Sequence, residues 1–486
     1  MSVDKPICKQ ADLCYNAFVY GKFRVRIIGG MNMRILIVGD GKVGHTLAEE
    51  LLREKHDITI IDQNDVVIKK TEDNLDVMCV HGNGANASTL LEAEVDRADI
   101  LIAATASDEI NMLCCLIGKH LGAKFAIARI RDPEYNESLS VLQQELGIDM
   151  TINPERATAQ EISRMLRYPF ASNIEPFAKG RVELVEFLAR EEDVIIGKPL
   201  KELTSRHSEV PKVLYCAVEH NGEVVIPGGE FIIQAGDRVH VAADMVTITQ
   251  FFRYIGRSAK PIKDVMLLGG GRISYYLAKM VEKMGIRVCM FEHNPEKAKL
   301  LSEQLPHADI IEGDGTDQDL LEQENLVGMD AFIALSDRDE ENLMTGLYAK
   351  NQGVKKVVVK TNRYAYKDVI ANLGLETQVS PRIITCNTIL RYVRARVNAR
   401  GTTIQKLYRL VDGKAEALEF IAKKGDPYIG IPLKKLSVRK GTLVAIILHK
   451  GKVIVPFGDD VIEAGDNVVI ISTDSGISDL NEVIKK

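Results

Sequence analysis

The residues best placed to do chemistry fall into two sets with one spacing. Gly39, Gly41 and Gly44 form a G-x-G-x-x-G turn in RILIVGDGKVG, with Asp40, Lys42 and Val43 filling it, and Asp62 follows eighteen residues after Gly44. Gly269 and Gly271, then Arg272, Ile273 and Ser274, repeat the turn in DVMLLGGGRIS, and Glu292 repeats the carboxylate. Gly39 and Gly269 are separated by 230 residues, as are Asp62 and Glu292. Such a turn suits a dinucleotide: the first glycine makes the tight bend, the second admits the pyrophosphate to the backbone, and the third lets helix and strand pack closely. The phosphates then meet the free N–H groups and positive end of the following helix. A carboxylate at Asp62 accepts hydrogen bonds from ribose hydroxyls and repels a 2′-phosphate, which favours NAD(H) over NADP(H). ATP and ADP carry the same ribose and remain candidates. In the second copy Ser274 replaces the third glycine, Arg272 is within reach of a phosphate, and Glu292 is longer than Asp62.

Further residues repeat with a separation of 231. Asn83, in Gly82-Asn83-Gly84, returns as Asp314 in Gly313-Asp314-Gly315, and Thr105 returns as Ser336. Thr105 and Ala106 close an apolar run, at the strand end where ligands of open parallel sheets bind. Arg129 closes the next run and offers a phosphate or adenine contact, with Lys360 as its counterpart.

These residues need strands to end on and helices to begin from. Apolar runs at 34–38, 57–62, 77–80, 100–104, 124–130 and 149–152 predict six strands, and the stretch from Lys42 to about Lys55 carries Val43, Leu47, Leu51 and Leu52 at helical spacing. Strands alternating with helices predict a doubly wound parallel sheet of the Rossmann type, and the second half repeats the order. After each such unit the texture changes to hairpins: the stretches 180–245 and 410–475 are copies, with Gly222 and Gly451, and Gly236 and Gly465, each 229 apart. The fold class is therefore α/β, with two Rossmann-like units each followed by a small β-rich α+β unit. The expected boundaries are an N-terminal extension over 1–32, then units at 33–155, 170–252, 263–382 and 400–486. The polar stretch from Arg253 to Lys263 reads as the linker between halves.

Bulk properties narrow the function. A net charge of −6 and no long basic block argue against nucleic acid. No apolar run is long enough to span a bilayer, and the N-terminus has no secretory apolar core. The eight cysteines form no CxxC pair, and Cys79, Cys114, Cys115, Cys216 and Cys289 read as buried free thiols. No HExxH, GxSxG or GxxxxGK[ST] motif occurs, and no proton-donor cluster suggests an oxidoreductase. The chain reads as a nucleotide sensor rather than an enzyme. The helix over 109–120, with Ile110, Met112, Leu113, Cys114, Leu116 and Ile117, is apolar on more than one face and offers a subunit contact.

The run IVGDGKVG…IIDQN…HGNGAN…AATASDEINMLCCLIGK…ARIRDPEY, followed by GKPLKEL…IPGGEFIIQAGDRVHVAA, resembles the TrkA family of regulatory subunits of Trk-type potassium uptake systems, from Met33 to Lys486. Its larger units resemble RCK N-terminal (KTN) domains and its smaller ones RCK C-terminal domains. The resemblance implies a homo-oligomer, a dimer of dimers or tetramer, docked peripherally on the cytoplasmic face of a TrkH- or TrkG-like membrane subunit. It further implies that NAD(H), ATP or ADP gates ion flow, and that Gly39, Gly41, Gly44, Asp62, Thr105 and Arg129 carry the nucleotide role. An NAD-dependent oxidoreductase and the regulator of a different cation transporter or antiporter are the alternatives.

Overall fold

A computed structural model describes residues 32–485 except 138, 169, 178–180, 205–209, 258–260, 363–372, 376, 399–403, 411–413, 475–476 and 478. The expected extension, with Cys8 and Cys14, lies outside the described residues, save its last residue. The first sheet contains β1 (Arg34–Val38), β2 (Asp57–Asp62), β3 (Met78–His81), β4 (Ile100–Ala103), β5 (Phe125–Arg129) and β6 (Met150–Ile152). Their order is β3-β2-β1-β4-β5-β6, all parallel. The chain reverses direction across the sheet between β1 and β4, and the crevice at that point is where doubly wound sheets place ligands. The second half repeats the order as β14-β13-β12-β15-β16-β17, from β12 (Asp264–Leu268), β13 (Arg287–Glu292), β14 (Ala308–Glu312), β15 (Ala331–Ala334), β16 (Lys356–Lys360) and β17 (Thr377–Val379). Central strands such as β4 and β15 are buried along their whole length, as sheets covered on both faces require.

Each sheet is followed by an antiparallel one. The first has the order β10-β9-β11-β8-β7, built from β7 (Asn173–Phe177), β8 (Val182–Leu188), β9 (Leu214–His220), β10 (Glu223–Val225) and β11 (Arg238–Ala243). The second matches it as β22-β21-β23-β19-β18, from β18 (Ile404–Leu410), β19 (Ala415–Ile421), β21 (Thr442–His449), β22 (Lys452–Ile454) and β23 (Asn467–Ser472); β20 (Ser437–Val438) pairs separately with β24 (Ile484–Lys485). Asn221, Gly222, Lys450 and Gly451 turn the hairpins with positive φ. The stretch read as an inter-half linker begins later than expected. The helix Met245–Tyr254, capped by Asp244, reaches into it because Ile248, Phe251 and Phe252 are buried in the first β-rich unit.

Six helices matter here: α1 (Lys42–Arg53), α2 (Asp108–Leu121), α3 (Pro154–Met165), α4 (Arg272–Glu282), α5 (Asp339–Asn351) and α6 (Pro381–Asn398); α1, α3, α4 and α6 interlock the two halves. α3 leaves the first sheet but packs on α4: Ala159 and Ile162 share a core with Ile273 and Leu277. α6 leaves the second sheet but packs on α1: Cys386, Ile389, Leu390 and Val393 share a core with Leu47, Ala48 and Leu51. The two antiparallel sheets also join, with Val182, Leu184 and Cys216 packed among Ala417, Ile446 and Val469. Each half thus completes the other's core.

Candidate nucleotide-binding cleft

The β1–α1 turn has the geometry its glycines demand. Gly39 has φ +97, and a Cβ there would lie 2.9 Å from the Thr105 nitrogen. A Cβ on Gly44 would lie 1.9 Å from the Gly39 carbonyl oxygen. A Cβ on Gly41 would meet nothing within 4 Å, and neither would one on Gly271. The space in front of the second glycine is open, as a close-approaching pyrophosphate needs. At the third position of the second copy, the Ser274 hydroxyl donates to the Gly269 carbonyl oxygen, so the serine becomes a brace across the turn.

The two carboxylates differ. Asp62 lines the cleft and accepts from the backbone N–H of Asp40 at 2.7 Å and of Asn64 at 2.8 Å. Glu292 is 2% exposed, accepts from the Asn294 N–H at 3.0 Å, and is ion-paired with Lys297 at 2.7 Å. Burial pushes its carboxyl up, but the Lys297 ammonium and Asn294 amide outweigh burial and hold it below the usual range. Asp40 lies beneath the first turn, bonded to Thr71 and His45, and burial raises its carboxyl against both.

Buried asparagines set the strand ends. Asn111 of α2 accepts from the Thr105 N–H at 2.8 Å and donates to the Arg129 carbonyl at 2.8 Å, tying β4 to β5. Asn342 of α5 does the same for Ser336 and Lys360, at 2.9 and 3.0 Å.

A single cleft of ≈ 830 Å³ opens between the two parallel sheets and takes walls from both. It gathers Gly39, Gly41, Lys42, Val43, Asp62, Thr105, Ala106 and Arg129 from the first half, and Gly271, Arg272, Ile273 and Lys360 from the second. Asp40, Gly44, Asn83, Gly269, Ser274, Glu292, Asp314 and Ser336 do not line it. Asn83 and Asp314 instead accept from backbone N–H groups within their own turns, of Ala85 and Thr316. Sequence reasoning missed Pro154 and Glu155 at the start of α3, Pro381 and Arg382 at the start of α6, and Asp337 and Asn362. A proline opening a helix after the last strand of each half was the available signal; that the helix reaches the other half's site was not readable.

The wall is electrically unfinished. Nε of Arg129 and of Arg382, and Oε2 of Glu155, are buried without a hydrogen-bond partner. Burial lowers the Arg129 guanidinium below its ordinary value, and Arg131 adds to the effect. Lys360 pairs with Asp337 at 3.0 Å, and that contact holds the Asp337 carboxyl below its usual range. Open glycines, two helix N-termini and unpartnered guanidinium nitrogens fit an anionic nucleotide.

Two parallel sheets with this order, each followed by a small antiparallel sheet, define an RCK-type assembly fold. The whole arrangement is similar to that of the GsuK channel, with a TM-score of 0.62 at 16% identity over 95% of this chain and 80% of that one. It is also similar to the GsuK channel bound to NAD, with a TM-score of 0.60 at 16% identity, over 96% of this chain and 82% of that one. The TrkA-N domain model matches residues 35–154 and 265–381, and the TrkA-C domain model matches 184–256 and 417–485. The Trk system potassium uptake protein TrkA homolog 2 of Methanosarcina mazei is 32% identical over 93% of this chain and 100% of that protein. TrkA of Haemophilus influenzae is 32% identical over 91% of this chain and 96% of that protein. The chain belongs to the TrkA family.

Proposed function

We propose that this chain is a nucleotide-responsive regulatory subunit of a Trk-type potassium uptake system. One observation carries the reading: residues of both fingerprint turns line one cleft whose walls come from both halves. A ligand held there touches both halves at once, so its binding energy depends on how they are arranged. Only such a differential can bias a conformational equilibrium. Asp62 lines the cleft where a ribose would lie, which favours NAD(H) over NADP(H); ATP and ADP, with the same ribose, are the competing ligands. The sensing units are 33–155 and 263–382, and the smaller units are 170–252 and 400–486. The names of the relatives support the potassium system, and the NAD-bound GsuK channel supports the nucleotide.

The subunit works as a homo-oligomer on the cytoplasmic side of a membrane potassium-transporter subunit. Docking on this reading is through the membrane subunit itself; no helix among the described residues is long and apolar enough to cross a membrane. On this reading the chain regulates rather than turns over its nucleotide, which its membership among potassium uptake proteins supports. The test combines titration calorimetry of the purified protein with NADH, NAD+, ATP and ADP and potassium uptake in a deletion strain. Binding without turnover, and uptake lowered at scarce potassium and restored by the gene, are expected. Normal uptake together with NADH oxidation on a small substrate would replace this reading with the oxidoreductase one.

A further inference from the structure

The cleft is not symmetric. We infer that each chain binds one nucleotide, at the first fingerprint, and that Arg382 of the second half reaches across to its phosphates while the second fingerprint is closed to them. This rests on the nucleotide reading above and sharpens it.

α6 runs alongside α1 in the same direction. Cys386 Sγ lies 3.9 Å from the Val43 carbonyl oxygen near their starts, and Arg394 Nε lies 3.0 Å from Glu54 Oε2 near their ends. The first turn of α6, carrying Arg382, therefore stands beside the first turn of α1, carrying Lys42, and both residues line the cleft. Two positive helix ends and two cationic side chains converge in front of Gly41. Arg382 Nε is buried with no partner, while Asp337 on this side is taken up by Lys360. A planar guanidinium with an unused donor is the side chain best matched to phosphate oxygens.

At the reciprocal place the sequence reverses the charge. α3 begins Pro154-Glu155 where α6 begins Pro381-Arg382. Glu155 therefore stands where Arg382 stands, beside the turn that opens α4. The cation of that turn, Arg272, lies 3.7 Å from Asp132, and Arg129 lies 4.0 Å from Glu155. Glu155 Oε2 is itself buried and unpartnered, so a phosphate at Gly271 would face an added carboxylate. Independently, the second copy's ribose carboxylate is out of service. Glu292 is folded under the turn, 2.8 Å from where a Gly270 Cβ would be, and sealed by Lys297. The second unit keeps the fold of a nucleotide pocket and lends the first an arginine.

The deciding experiment is a binding count with NADH on the full-length protein, by calorimetry and equilibrium dialysis. One NADH per chain is expected. Arg382→Gln should weaken NADH on the order of ten- to a hundredfold, as loss of a charge-assisted hydrogen bond does, while competition by adenosine, which lacks phosphate, stays unchanged. Arg382→Lys should recover part of the loss, and is read in its place if the glutamine variant fails to fold. Two NADH per chain, or wild-type NADH affinity in both Arg382 variants, would overturn the inference and leave the nucleotide reading standing. Absence of any nucleotide binding would overturn both.

Discussion

At the residue scale the glycines of the first turn separate folding from binding. Gly41→Ala meets open space in the protein, so its melting temperature should stay near wild type while NADH affinity drops, because the methyl group enters the volume the pyrophosphate needs. Gly44→Ala places a methyl group on the Gly39 carbonyl, and should cost roughly 3 kcal/mol of stability by overpacking. Thermal denaturation and NADH titration of the two variants test the contrast; equal destabilisation would show that the turn is not built as described. Asp62 has two tasks, holding the Asp40 and Asn64 amides and facing the cleft. Asp62→Ala should weaken NADH by about 1–3 kcal/mol, and NADP(H) should bind the wild type far more weakly than NAD(H). Equal affinities for the two dinucleotides in a competition titration would remove Asp62 from the ribose.

Among the elements, the α1–α6 seam carries a pH dependence. His56 follows α1, and burial pushes its imidazole below its ordinary 6.5, Arg394 adding to this against the opposing pull of Glu54. The neutral ring accepts from the Met33 N–H at 3.4 Å. Below pH 6.5 the unfolded chain takes up a proton that the folded chain resists, so His56 makes stability fall as pH drops through that value and levels off below the folded pKa. Urea denaturation of His56→Gln should show a flatter profile between pH 7 and 5 than wild type (assay range ~5–7, set by the imidazole). An unchanged profile would assign the loss to other groups. α2 has a separate role. Met112 and Cys114 face the core, but Leu113 is 41% exposed, and at the matching place on α5 Met344 is 68% exposed. We propose these as contacts to another copy of the chain. Leu113→Asp with Met344→Asp should shift the light-scattering mass toward the 53.9 kDa of one chain; an unchanged oligomer would place the interface elsewhere.

For the whole molecule, the interlock of α3 and α6 makes nucleotide binding a property of both halves. Saturating NADH should stabilise the chain by about 2.7 kcal/mol at a hundred times its Kd. The gain should appear in the unfolding of both halves, since their cores are shared. If calorimetry resolved two transitions and NADH moved only one, the halves would be energetically independent and the cleft could not act as a switch.

Local chemistry was legible in the sequence because it is repeated locally. Continuous apolar runs specified the six strands of the first sheet to within a residue or two, since strands buried on both faces read as unbroken apolar stretches. The convergence of the glycine turn, Asp62, Thr105 and Arg129 on one cleft was legible because the strand ends and the helix N-terminus of such a sheet meet at one edge. The exchange of α3 and α6 was not legible. Their apolar faces require some partner, but nothing in a periodicity says whether that partner lies in the same half or 230 residues away; only complementary packing of α3 on α4 and α6 on α1 decides it. The same holds for Glu155 and Arg382, whose charges matter through the helix end each faces. It holds for Glu292 too: a carboxylate at the right spacing was readable, but its capture by Lys297 under the turn depends on side chains meeting in three dimensions.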